Sequence, residues 1–290
     1  MRKIVHISDV HFGRIDPATV EPLVAAVNRV QPDVVVISGD LTQRARPEQF
    51  ADARDFLKSL PGPQLVVPGN HDVPLYDVWS RFAAPLVRYR SYICDELNPH
   101  FADDEICIQG LNTARSLTWK NGRISEAQIE LLRKSFSTAA PQAIKILVTH
   151  HPLDLPRRFG DDELVGGAQA AMTAAAESGV DVLMAGHYHI AHTGDTSARY
   201  PIQGFAALVV QSGTSTSSRL RDEPNSFNLL EVAADRVTVD RFLWRPADGV
   251  FASELTEHFR KQQGVWVRQS SVVPEGKGVA VPDVPSTPTA

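Results

Sequence analysis

Five short runs in this chain of 290 residues set oxygen and nitrogen donors at close spacing: "DVH" with Asp9 and His11, "GD" with Asp40, "GNHD" with Asn70 and His71, "THHP" with His150 and His151, and "GHYH" with His187 and His189. Carboxylate, carboxamide oxygen and imidazole nitrogen without a thiolate suit a borderline or hard divalent ion such as Mn2+, Fe2+, Zn2+ or Ni2+. One histidine of this kind is more often structural than a ligand, but an ordered set points to metal. The donors are too many for one ion. Two ions about 3.5–4 Å apart, bridged by a carboxylate, would use them all, and such a pair can polarise a phosphate while generating a hydroxide nucleophile. Gly39, Gly69 and Gly186 each precede a donor, where a tight turn lets the backbone pass close to the site.

Each run follows an apolar stretch. "KIVHIS", "DVVVIS", "QLVVP", "KILVT" and "DVLMA" read as strands, and the helical patterns between them predict an α/β chain with parallel strands joined by crossover helices. Val20, Leu23, Val24, Val27 and Val30 recur at helical spacing, as do Phe50, Phe56, Leu57 and Leu60. Ser125 with Gln128 forms a capping box, and the alanine-rich stretch from Ala168 stops at Gly179. Side chains at the carboxyl ends of strands in an open sheet meet around one cleft, which explains why apolar strands stop on Asp and His. From Ala206 onward, "AALVVQSG", "SFNLLEVA" and "RVTVDRFLW" lack intervening helices and predict a second, antiparallel sheet. The expected division is one domain over 1–268 and a flexible tail over 269–290.

In kind and order, these motifs resemble the calcineurin-like metallophosphoesterase family, whose pattern is D-x-H, GD, GNH[DE], a later H and GHxH. The resemblance implies a four-layer α-β-β-α sandwich, two mixed sheets flanked by helices, with a dimetal site at the strand ends. It implies one divalent ion (Mn2+, Fe2+ or Zn2+) on Asp9, His11, Asp40 and His189, and a second on Asp40, Asn70, His150 and His187, so that Asp40 bridges. It makes His71 the general acid, protonating the leaving group after in-line attack by a metal-bridging hydroxide. Protein phosphatases of the family carry GDxxDRG and GNHE, where this chain has "GDLTQRA" and "GNHD". The wording is most similar to bacterial class III cyclic nucleotide phosphodiesterases and their glycerophosphodiesterase relatives. The implied substrate is therefore a small anionic phosphodiester, first a 3′,5′-cAMP type of cyclic nucleotide, with glycerophosphodiesters, 2′,3′-cyclic nucleotides and phosphomonoesters as alternatives. A catalytically inert scaffold of the same fold is the alternative from another class.

Arg14, just past "DVH", and Arg219 and Arg221 in "SGTSTSSRLRDEPNSFN" are expected to contact substrate, as are His151 and His192 beside the metal motifs. His6, inside a strand, is expected to be packed. No G-x-S-x-G elbow and no P-loop is present. A net charge of −5 argues against a long nucleic acid partner. No apolar run approaches the roughly 20 residues of a membrane span, and polar residues interrupt the N-terminal stretch too soon for a signal peptide, so a cytoplasmic location is expected. Cys94 and Cys107 are expected to be reduced. A homodimer is compatible with the resemblance.

Overall fold

The computed structural model describes residues 1–75, 77–117, 120–218 and 223–273. The chain opens with β1 (Arg2–Ile7), α1 (Pro17–Val30), β2 (Val34–Ile37), α2 (Pro47–Ser59) and β3 (Gln64–Val66), and these three strands lie parallel and adjacent. Two short helices follow, α3 (Val78–Ala83) and α4 (Val87–Tyr92). Next come β4 (His100–Ala102), β5 (Ile106–Leu111), α5 (Glu126–Ser137), β6 (Ile144–Thr149), α6 (Ala168–Ser178), β7 (Val182–Ala185), β8 (His192–Asp195) and β9 (Leu208–Gln211). The last strands are β10 (Ser226–Ala233), β11 (Arg236–Arg245), β12 (Val250–Gln262) and β13 (Val265–Val272).

One sheet has the order β13-β12-β11-β10-β1-β2-β3 and the other β4-β5-β6-β7-β9-β8. Both are mixed, and helices cover their outer faces. Strand periodicity makes the layers. Val5, Ile7, Val35 and Ile37 point outward to Leu23 and Val27 of α1 and Phe50 and Phe56 of α2. Their neighbours Ile4, Val34 and Val36 point into the seam between the sheets, where they meet Ile146, Val148, Met184 and Val210. Leu147, Leu183 and Val209 face Leu132, Phe136 and Met172 of α5 and α6. Strands buried on both faces need continuous apolar runs, which is what the five stretches supply. The capping box at Ser125 and the left-handed Gly179 end their helices as expected.

Three expectations need correction. The five strands do not share one sheet: β1, β2 and β3 belong to one and β6 and β7 to the other, so their carboxyl ends meet across the seam. The late strands do not form a sheet of their own. β9 lies parallel to β7, whereas β10 pairs antiparallel with β1 and carries β11, β12 and β13 outward. The apolar content of a strand does not reveal which existing edge is open to it. Finally, β13 runs on to Val272, past the expected break at 268/269, because Thr256, Glu257 and His258 of β12 pair with it there; the expected tail beyond 273 lies outside the described residues. "ICIQGL" forms β5, unread as a strand because polar Gln109 and Gly110 interrupt its apolar run.

No helix among the described residues is long and apolar enough to cross a membrane. Toward the site the seam turns polar: His6 is buried with its Nε2 2.9 Å from Ser38 Oγ. At the opposite end, Trp266 of β13 is 3% exposed and donates to Asp181 Oδ1 at 3.3 Å, closing the seam. Trp266→Ala is expected to destabilise the fold by about 3–5 kcal/mol, read as a lowered midpoint in urea.

Candidate metal centre

The donors stand where strands end at the seam. Asp9 and His11 follow β1, Asp40 follows β2, Asn70 and His71 follow β3, His150 follows β6, and His187 and His189 follow β7. Five of them, Asp9 (φ 53°), His11 (54°), Asp40 (52°), His187 (75°) and His189 (58°), adopt the left-handed backbone region. Non-glycine residues rarely do so, and such residues cluster where function requires a fixed geometry.

Two sets of atoms result. His11 Nε2 lies 3.1 Å from His189 Nε2 and 3.6 Å from both Asp9 Oδ1 and Asp40 Oδ2, and His189 Nε2 is 3.2 Å from Asp9 Oδ1. His150 Nε2 lies 3.4 Å from Asp40 Oδ1, 3.1 Å from Asn70 Oδ1 and 3.3 Å from His187 Nδ1. Asp40 thus turns one oxygen to each set. An ion about 2.0–2.2 Å from each donor places those donors about 3.0–3.5 Å apart, so the spacing suits a cation in each. Asp9 Oδ1 is buried and accepts no hydrogen bond, an acceptor left without a donor.

Charge is distributed accordingly. Burial disfavours an ionised Asp40, yet His150, His71 and His11 outweigh it and hold the carboxyl well below its usual range. Burial pushes His187 down to about 3, helped by His150, and lowers His11 as well, the direction that favours a ring with a lone pair available.

The surroundings lock these groups. Ser8 Oγ donates to Asp9 Oδ2 at 2.5 Å, and the His187 amide donates to the same oxygen at 3.0 Å. His150 Nδ1 meets Ser38 O at 2.8 Å, which turns Nε2 toward Asp40. A Cβ on Gly39 (φ 94°) would lie 2.7 Å from His150 Nδ1, and one on Gly186 would collide with Ser8 Oγ and Asp9 Oδ2. His71 is half-buried at the rim: its amide donates to Asp40 Oδ1 at 2.8 Å, and its Nδ1 is 2.9 Å from the Gln43 carbonyl.

The expected substrate residues divide. Arg14 is exposed beside the site, its main chain tied to Ser218 and its side chain without a partner among the described residues. His151 does not point away from His150 as a strand neighbour should. It is 0% exposed, its ring 4.8 Å from that of His150 and 4.6 Å from that of His187, with Nδ1 2.7 Å from Thr113 Oγ1. It packs against the two rings, and its ligand atom lies within 4.8 Å of those of His150 and His187. His192 opens β8 and lines a separate cavity of about 260 Å3 with Asp154, Arg157 and Arg199. Arg219 and Arg221 lie outside the described residues.

Several supporting residues were missed. Asp72, the last letter of "GNHD", accepts from Leu41 N (3.2 Å), Thr42 N (2.9 Å), Thr42 Oγ1 (3.0 Å) and Gly69 N (2.9 Å), tying the β2 turn to the β3 turn. Its place in the motif was the available signal. In the run "SGTSTSS", Thr214 and Thr216 are buried and donate to Asp9 O and Val10 O, each at 2.7 Å, while Ser215 N donates to Ser8 O at 3.0 Å. Small hydroxyl residues there staple the β1 turn.

Comparison with known proteins gives the family and the fold. The family model described as calcineurin-like phosphoesterase matches residues 2–191. The chain is 31% identical over 169 residues to the glycerophosphodiester phosphodiesterase GpdQ of Enterobacter lignolyticus, an alignment covering 52% of this chain and 58% of that protein. It is 27% identical over 262 residues to a cAMP/cGMP dual specificity phosphodiesterase of Mycobacterium tuberculosis, covering 81% of this chain and 77% of that one. Among solved structures, a purple acid phosphatase from yellow lupin superposes with a TM-score of 0.63 at 14% identity, over 87% of this chain and 52% of the other. A dimetal phosphatase from Danio rerio gives 0.59 at 16% identity, over 82% and 95%. These likenesses establish the sandwich of two mixed sheets.

The Asp72 contacts make a stability prediction. Asp72→Ala leaves three buried main-chain donors without their acceptor, and is expected to cost about 3 kcal/mol or more of unfolding free energy in metal-free protein, measured by urea denaturation.

Proposed function

We propose that this chain, which belongs to the calcineurin-like phosphoesterase family, hydrolyses a small phosphodiester using two divalent ions. The observation that carries the proposal is Asp40, whose Oδ2 faces His11 at 3.6 Å while its Oδ1 faces His150 at 3.4 Å. A carboxylate shared between two donor sets is the arrangement that a pair of adjacent ions requires.

In this reading Asp9, His11, Asp40 and His189 hold one ion, and Asp40, Asn70, His150 and His187 hold the other. Divalent ions held there supply electrophilic polarisation of the phosphoryl oxygens and acidify water. The donors are oxygen and imidazole nitrogen, which suits Mn2+, Fe2+ or Zn2+. His71 serves as the general acid. Its Nδ1–H donates to the Gln43 carbonyl, which leaves Nε2 for the cleft, where it gives a proton to the departing alkoxide as the P–O bond breaks. Arg14, exposed beside the site, is suited to an outer oxygen of the substrate.

A diester is favoured over a monoester on charge. Two divalent ions less Asp9, Asp40 and a hydroxide leave about +1, which a monoanion neutralises. The two relatives described above also bear phosphodiesterase names. A 3′,5′-cyclic nucleotide is the first candidate, since the M. tuberculosis protein named for that activity aligns over 81% of this chain. Glycerophosphodiesters come second, on the 31% identity to GpdQ.

Protein stripped of metal and reconstituted with Mn2+ is expected to turn over bis(p-nitrophenyl) phosphate with a kcat/KM well above that for p-nitrophenyl phosphate. A ratio well below one moves the assignment to a monoesterase, and no turnover of either favours the inert scaffold. His71→Ala is expected to lower turnover of esters with poor leaving groups at least about tenfold more than that of p-nitrophenyl esters. Equal losses in a steady-state comparison of the two classes contradict the acid role.

A further inference from the structure

We infer that two water molecules are built into the seam beneath the donor sets, bridging His6, Asn228 and Arg241 and joining solvent at the sheet edge to the floor of the metal centre. The three residues stand in one row across β1, β10 and β11: His6 pairs with Asn228, and Asn228 with Arg241. Residues paired across strands point to the same face. Here that face is the seam, because Ile4, Leu230 and Val239, two places along each strand, belong to the apolar layer between the sheets. A polar row thus lies directly above an apolar one.

Each of the three carries a buried polar atom with no protein partner: His6 Nδ1, Asn228 Oδ1 and Arg241 Nε. His6 is 0% and Asn228 1% exposed, while Arg241 is half-buried and forms the solvent end of the row. The remaining atoms are committed. His6 Nε2 lies 2.9 Å from Ser38 Oγ, and Asn228 Nδ2 donates to Gln211 O at 3.3 Å. A main-chain carbonyl only accepts, so the carboxamide of Asn228 cannot be turned round and Oδ1 stays an acceptor in need of a donor. Glu257 and Glu223 attract Arg241 without bonding to it. Glu257 is taken by Thr193 Oγ1 and by Arg268 at 2.9 Å, and Glu223 by the Ala191 amide at 2.8 Å.

Buried polar groups find partners, and where the protein supplies none a bound water does. Neighbouring strands lie about 4.8 Å apart, a spacing that a water bonded at about 2.8 Å to each side spans. Donors and acceptors also match. One water accepts from Arg241 Nε–H and donates to one lone pair of Asn228 Oδ1; a second donates to the other lone pair and meets His6 Nδ1, which a water satisfies in either tautomer. A bound anion would be repelled by Asn228 Oδ1 and a bound cation by Arg241, whereas water serves both. Beyond His6 the row continues through Ser38, whose hydroxyl meets His6 Nε2 and whose carbonyl meets His150 Nδ1 at 2.8 Å. Solvent thereby reaches the support of His150 from the sheet edge, whatever occupies the cleft.

Crystals of the full chain diffracting to about 1.2 Å are expected to show ordered solvent within about 3.2 Å of both Asn228 Oδ1 and Arg241 Nε, and again of both Asn228 Oδ1 and His6 Nδ1. A direct bond between these side chains, a solute other than water, or no density between them overturns the inference. In solution, metal-free protein is expected to show cross-relaxation from water to Arg241 Nε–H, with NOE and ROE of opposite sign as for a held water, and none to the methyl groups of Val232 and Val237, which face the seam two rows further down. Effects of the same sign at Arg241, as for passing surface water, or effects of equal strength at the two valines overturn it as well. Asn228→Leu and Arg241→Met each strip one side from a bridge and are expected to lower the midpoint in urea, with the double variant losing at least about a third less than the sum of the two. Additive losses count against the shared water. The readouts on the parent chain decide the matter on their own if a variant does not fold.

Discussion

The backbone at the strand ends is under one constraint from which the remaining features follow. Asp9, His11, Asp40, His187 and His189 all adopt a left-handed conformation, which for residues bearing a Cβ costs about 1–2 kcal/mol each. Such positions persist only where their neighbours over-determine them. Here the donors hold one another: the Asp9 amide donates to Gly39 O, the His11 amide to Asp40 O, and the His187 amide to Asp9 Oδ2. The turns of three strands, drawn from two sheets, are therefore tied by the same groups that form the two donor sets.

The same arrangement explains the electrostatics. Asp9, Asp40 and Asp72 are all buried in the seam, and among the described residues none forms an ion pair with lysine or arginine. Imidazoles and main-chain N–H groups stand in for cations. Burying carboxylates without a fixed opposite charge is unfavourable, and it leaves the seam with an uncompensated demand for positive charge that a permanent Arg or Lys partner would have satisfied. Support is concentrated beneath the donors, where Ser8, Ser38, Thr214 and Thr216 give or accept hydrogen bonds without adding charge.

Much of this was readable from residue order alone, because strands buried on both faces must be apolar throughout and any polar residue that ends them has been placed there for a reason. The five donor clusters and their strands were legible on that basis. What was not legible depends on long-range pairing. β9 and β10 look alike as apolar strings, yet one joins β7 and the other β1. His151 sits beside His150 in the chain, and alternation predicts opposite directions; the main chain leaves the strand there, and both rings end up packed together. Hydroxyl residues in "SGTSTSS" carry no local mark distinguishing a ligand contact from a main-chain staple, since the decisive partner lies some two hundred positions earlier.

That last pairing bears on the order of events during synthesis. β1 is made first, but its second neighbour is β10, with Ile4 opposite Leu230, and its terminal turn is closed by Thr214 and Thr216. All the donors have emerged by residue 189, well before these partners exist. Until then the β1 turn lacks two of its ties, the hydrogen bonds to Asp9 O and Val10 O. Completion of the first sheet thereby adds the last main-chain ties to a turn whose donors all precede residue 190 in the chain.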